Sequence, residues 1–234
     1  MLILPGIYFI SIMNDSIKKY IFEEIIPRYA AFDAAHREDH ARTVMTQAMS
    51  LLDGLQPWLV RQTEVDAVWY EPVDREMLMM ASACHDLGLV NGRDNHHLDS
   101  GKIIRSDLRL REWFSEEQIE IIAQAAEDHR ASGKSRPRSI YGMIVAEADR
   151  VIDTETIIRR TLQYGQKNYP LLDGEGHVTR AMDHLREKYG RNGYLKLWIP
   201  WSDNAVRLAR LHDLIDDEDE LREKVSGIFS DMHF

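Results

Sequence analysis

Only one run in this chain of 234 residues has the pattern of a β-strand, Tyr194 to Ile199 (YLKLWI), and it is short. A sheet needs several strands with a shared apolar face, and one such run cannot supply it. The remaining periodic segments repeat their apolar residues at helical spacing. The expected fold class is therefore all-α, a helical bundle with a C-terminal helical extension.

The helices can be placed from their faces and their ends. Residues 16–26 line up Ile17, Ile21, Ile25 and Ile26 before Pro27. Residues 38–53 carry Val44, Ala48, Leu51 and Leu52 and run into Gly54, which reads as a helix end. Asp74 is placed to cap a helix reaching about Cys84, in which Met77, Met79 and Met80 read as core fillers. Helices over 97–110 and 116–128 follow, the second opened by the capping-box pattern of Ser115 and Gln118. Further helices are predicted over 139–150, 154–165, 177–189, 202–215 and 217–230. A break falls around 166–176, where NYPLLDGEG intervenes. Residues 14–155 read as a core domain and 156–234 as an extension packed on it.

Composition limits the partners. With 44% hydrophobic and 29% charged residues, the chain can bury a sizeable core. The net charge of −10 argues against general binding to a nucleic-acid backbone. It leaves a small anionic substrate open, because a local basic patch can outweigh the global field. Cys84 is the single cysteine, so no internal disulfide can form, and the expected compartment is the cytoplasm. The first thirteen residues, MLILPGIYFISIM, are apolar but lack a basic leader region and are too short to span a bilayer. They read as an upstream start or a surface arm, since Met13 precedes a helix with Asn14, Asp15 or Ser16 as its cap. No membrane partner is expected, and homo-oligomerisation is left open.

Set on these helices, the histidines and acids fall near helix ends. His40 opens the second helix, His85 and Asp86 end the third, and His97 opens the fourth. His129 follows the fifth, and Asp149 lies late in the sixth. Brought together, they form a mixed imidazole and carboxylate pocket suited to Mn, Fe, Co, Ni, Zn or Mg.

Four local contexts, in order, carry a resemblance. They are HREDHARTV around His40, ACHDLG around His85-Asp86, His97-Leu-Asp-Ser-Gly101, and AEADRVID around Asp149. Together they resemble the HD-domain superfamily of metal-dependent phosphohydrolases over roughly residues 20–155, with Thr43 breaking an Arg-Val pair of the first motif. The resemblance implies a divalent metal held by His40, His85, Asp86 and Asp149. Asp86 would also orient the attacking water as the catalytic carboxylate. His97 and His129 would bind a second ion or face the substrate phosphate, with one metal as the first expectation. The His-x-x-x-Gly spacing selects His97 over its neighbour His96. His36, one turn before His40, is a lesser alternative ligand.

The implied activity is hydrolysis of a small phosphate ester, a nucleotide being the favoured class. A non-catalytic nucleotide- or metal-sensing module on the same scaffold, or a di-iron oxygenase-type site, are the alternatives. Lys134, Arg136 and Arg138 in GKSRPRS form either a solvated basic loop or a phosphate-binding lip, with Lys102 and Arg105 as further phosphate candidates. Trp198 and Trp201 read as core or interface residues. The acidic run Asp216 to Glu220 reads as a helix cap and solvated face. His177, His184, His212 and His233 lie outside the motif region.

Overall fold

The computed structural model describes residues 13–33, 36–130, 135–150 and 152–232. All but Met13 of the arm expected over 1–13, and the phosphate candidate Lys134, lie outside the described residues. Contacts divide the described residues into two units. The first holds those up to Arg150 together with Trp198–Ser202, and the second holds Ile152 to Leu197 and those from Asp203 on.

The first unit is built from helices, with no strand among the described residues. Helix α1 (Asp15–Tyr20) is capped by Asn14, whose side chain accepts from the Ser16 N–H. The same winding loosens to a π-turn over Ile21–Ile25 and tightens to a 3-10 turn over Ile26–Ala31, where Pro27 offers no N–H for an α-helical ladder. Helices α2 (Glu38–Leu59), α3 (Arg75–Cys84) and α4 (His96–Ser106) follow. Helix α5 (Glu116–Glu127) opens on the expected capping box, with Ser115 and Gln118 each satisfying the other's backbone. Helix α6 (Ile140–Ala148), capped by Ser139, is buried along its whole length. Such a helix needs neighbours on every side, and α2, α3 and α5 all pack on it. Helices α3 and α5 also pack on each other, and α4 lies on α5. The core of this unit includes Met77, Met79 and Met80.

Helix α2 does not stop at Gly54. It runs on through Gly54 and Pro57 to Leu59. The glycine is there for close approach rather than termination: a Cβ at this position would lie 2.7 Å from Trp201 Cδ1. Trp201 donates its indole N–H to the Leu51 carbonyl at 2.8 Å and packs tilted on Trp58 and edge-on to Trp69 at ring separations of 4.9 and 5.2 Å. The run from Tyr194 to Ile199 is likewise no strand. Its Tyr194 and Leu195 N–H groups donate to the Glu187 and Lys188 carbonyls, which end a helix, and Leu195 and Ile199 are buried.

The second unit holds helices α7 (Thr154–Asn168), α8 (Gly174–Tyr189), α9 (Asn204–Asp216) and α10 (Glu218–Asp231). Helix α8 begins before the expected position 177, because the Asp173 side chain accepts from the Gly176 N–H and makes the two glycines its first turn. No helix among the described residues is long and apolar enough to cross a membrane.

Candidate metal centre

Helix α3 carries small and apolar residues to its end and is buried from Met77 to Cys84. His85 continues its right-handed conformation as the C-cap, and Asp86 turns the chain out of the helix at φ −108°, ψ 7°. Tyr29 holds this turn from outside. Its hydroxyl donates to the Ala83 carbonyl at 2.7 Å and accepts from the Asp86 N–H at 3.3 Å. Both His85 and Asp86 are buried.

Gly88 brings the next helix in. A Cβ there would collide with the His96 carbonyl and lie 2.5 Å from Ser100 N. The Gly88 N–H instead donates to the Ser100 hydroxyl at 2.8 Å. The contact seats the first turn of α4 on the turn that follows Asp86. His40 reaches the same point from the first turn of α2, His129 from the end of α5, and Asp149 from the C-cap of α6.

The side chains meet in two groups that share Asp86. In one, His40 Nε2 lies 3.2 Å from His85 Nε2, 3.2 Å from Asp149 Oδ1 and 3.5 Å from Asp86 Oδ2. His85 Nε2 lies 3.3 Å from the same Asp86 oxygen and 3.8 Å from Asp149 Oδ1. In the other, Asp86 Oδ1 lies 3.5 Å from His96 Nε2 and 3.4 Å from His129 Nε2, and those two nitrogens are 3.2 Å apart. The sets His40, His85, Asp86 and Asp86, His96, His129 each have donor atoms close enough to hold one ion.

The protonation pattern fits a metal. The Nδ1 atoms of His85, His96 and His129 face the backbone carbonyls of Ser82, Arg93 and Ala126. A carbonyl only accepts, so each Nδ1 carries the proton, and each neutral ring turns its Nε2 lone pair toward the centre. Lone pairs 3.2 Å apart repel unless a cation or a proton lies between them. Without metal, protons take that place. Burial works against a charge on His40, but hydrogen bonds with Asp149 and Asp86 outweigh it and push its pKa up to about 9. His129 is raised in the same way, its burial overcome by Asp86. Burial would raise Asp86 and Asp149 too, yet the surrounding imidazoles hold both below the ordinary carboxylate range.

His97 is the correction. The spacing to Gly101 selects it, but His96 is the residue that joins His129 and Asp86. Neighbours on a helix diverge by about 100°, so both rings cannot face one point, and the Arg93 carbonyl orients His96 inward. The His97 ring lies 5.6 Å from that of His96, and its buried Nδ1 has no hydrogen-bond partner among the described residues. Burial, then the charges of Arg130, His129 and His96, push its pKa down to about 4. His36 is taken by Asp33, at 2.8 Å.

The expected phosphate cations are engaged elsewhere. Lys102 pairs with Asp99 at 2.7 Å and Arg136 with Asp66 at 2.9 Å. Arg105 is clamped between Glu120 and Glu127, and Arg138 binds Glu127 and Asp128. The sequence reading misses Tyr29 and sets aside His96. The double histidine at 96–97 is the one signal that could have pointed to the latter.

Residues 37–152 match the family model of the HD domain. No curated protein and no solved structure gives a match to the chain. The matched segment runs from the residue before α2 to just past Asp149, and so contains every residue of the two groups. HD domains are generally metal-dependent phosphohydrolases, and their divalent metals suit this donor set. This all-α segment, residues 37–152, is thus an HD domain.

Proposed function

We propose that this chain is a metal-dependent phosphohydrolase with two divalent ions, acting on a small phosphate ester, a nucleotide being the favoured class. The observation that carries the reading is the division of Asp86, whose two oxygens face two different histidine pairs. A carboxylate that faces both pairs would serve an ion held by either of them. His40, His85, Asp86 and Asp149 would hold one ion, and Asp86, His96 and His129 the other. Bound there, such ions supply a water acidified toward neutral pH and offset charge on the phosphoryl oxygens.

The chain's own residues do the rest. The carbonyls of Ser82, Arg93 and Ala126 keep three rings in the tautomer that can ligate. His85, Asp86 and His129 form a buried floor, while His40, His96 and Asp149 are partly exposed and mark the side from which substrate enters. The Asp86 side chain is 3% exposed and that of Asp149 24%. Of the two carboxylates, Asp149 is therefore the one a water reaches, and we assign it the orienting of the attacking water, leaving Asp86 as the bridge.

The test is reconstitution. Metal-free protein is reloaded with Mn, Fe, Co, Ni, Zn or Mg and assayed against a panel of phosphate monoesters, nucleoside monophosphates included. Phosphate release that requires metal and stops with chelator supports the reading. Tight metal binding with no turnover favours the sensing module. Four imidazoles and two carboxylates also suit iron, so oxygen consumption by the iron-loaded protein would favour the oxygenase.

A further inference from the structure

A substrate phosphate that approaches Asp86 and Asp149 needs a cation whose charge is not already cancelled. Lys102, Arg105, Arg136 and Arg138 are each paired with a carboxylate. Arg130 is held differently. It directly follows His129 and is half-buried. Its Nη1 donates to the backbone carbonyl of Asp94, two residues before His96. Among the described residues no carboxylate stands within ion-pair distance of it.

The kind of anchor matters. A carboxylate would orient a guanidinium and cancel its charge. A carbonyl orients it, takes one of its five N–H groups and leaves the full positive charge in place. Arg130 thus bridges the two segments that deliver His96 and His129, and among the described residues the Asp94 carbonyl is the one hydrogen-bond partner of its fork.

We propose that Arg130 receives the substrate's phosphate on the His96–His129 side of the centre. The proposal rests on the phosphohydrolase reading and names the group that recognises the anion there. A guanidinium presents parallel N–H groups that match two phosphate oxygens.

The test uses inorganic phosphate as the probe and isothermal titration calorimetry of the full, metal-loaded chain, so it does not depend on turnover. Wild type is compared with Arg130→Ala, Arg130→Lys and Arg136→Ala, with bound metal measured in each. Arg130→Ala is expected to weaken phosphate binding about tenfold to a hundredfold with metal content unchanged. Arg130→Lys recovers part of the loss, and Arg136→Ala binds as wild type does. The proposal is overturned if Arg130→Ala keeps its metal and binds phosphate within about twofold of wild type. It is also overturned if wild type binds no phosphate, or if both Arg130 variants lose metal, which would make the residue a support for the His96 segment. Phosphate binding with no hydrolysis of any monoester would refute the phosphohydrolase reading while leaving Arg130 as the anion site.

Discussion

Asp86 Oδ1 lies 3.4 Å from Nε2 of His129, while its other oxygen faces His40 and His85. One buried carboxylate therefore ties the end of α3 to the starts of α2 and α4 and the end of α5. The centre depends on backbone turns that meet within a few ångströms.

Gly88 is the tightest of these points. Adding a methyl group drives it into the His96 carbonyl and the Ser100 N–H, which are backbone and cannot swing aside. Gly88→Ala is expected to cost about 3 kcal/mol, a fall in melting temperature of roughly 6–12 °C for a chain of this size. Bound metal should fall with it, because His96 is displaced. Calorimetry with elemental analysis checks both, and an unchanged Tm would show that the two turns are not in contact.

Tyr29→Phe removes a hydroxyl that serves the Ala83 carbonyl and the Asp86 N–H together. A buried N–H left without a partner costs about 1–3 kcal/mol. The variant should fold, melt lower and bind metal more weakly, since Asp86 is less firmly set. Chemical denaturation and a metal titration measure the two effects. Full stability with full affinity would remove Tyr29 from the account.

If the centre holds the proposed ions, protons and metal compete for the same nitrogens. In the metal-free protein His40 has its pKa pushed from 6.5 up to about 9 by Asp149 and Asp86, against its burial. The folded value is the higher one, so the stabilisation from its charged form is full below about 6.5 and lost as pH rises through about 9. Metal affinity should rise over the same window as the proton leaves. Thermal melts of chelated and metal-loaded protein from pH 6 to 9.5 should show a gap that widens with pH. A gap that stays constant would mean that His40 is not a ligand.

Much of this fold was readable before the structure because its signals are local. The Ser115–Gln118 box and the Asp74 cap fix helix starts within a few residues of chain, and of the three adjacent candidates Asn14 is the one that caps α1. What could not be read depends on distant partners. Gly54 looks like a helix end until Trp201, far along the chain, is seen against it. Arg136 and Arg105 are positive in any sequence reading, but Asp66 and Glu120, which occupy them, are set by the fold. The choice between His96 and His97 turns on the phase of α4, which the Gly88–Ser100 contact and the Arg93 carbonyl set.

On the proposed function, Asp86 would serve two ions and His96 would help hold the second. Elemental analysis of wild type, Asp86→Asn, His96→Ala and His97→Ala, prepared and loaded alike, tests it most directly. About two ions per chain are expected in wild type. His97→Ala should keep both, His96→Ala should hold about one, and Asp86→Asn should lose most of its metal. Metal retained in full by Asp86→Asn, or lost from His97→Ala but not from His96→Ala, would contradict it.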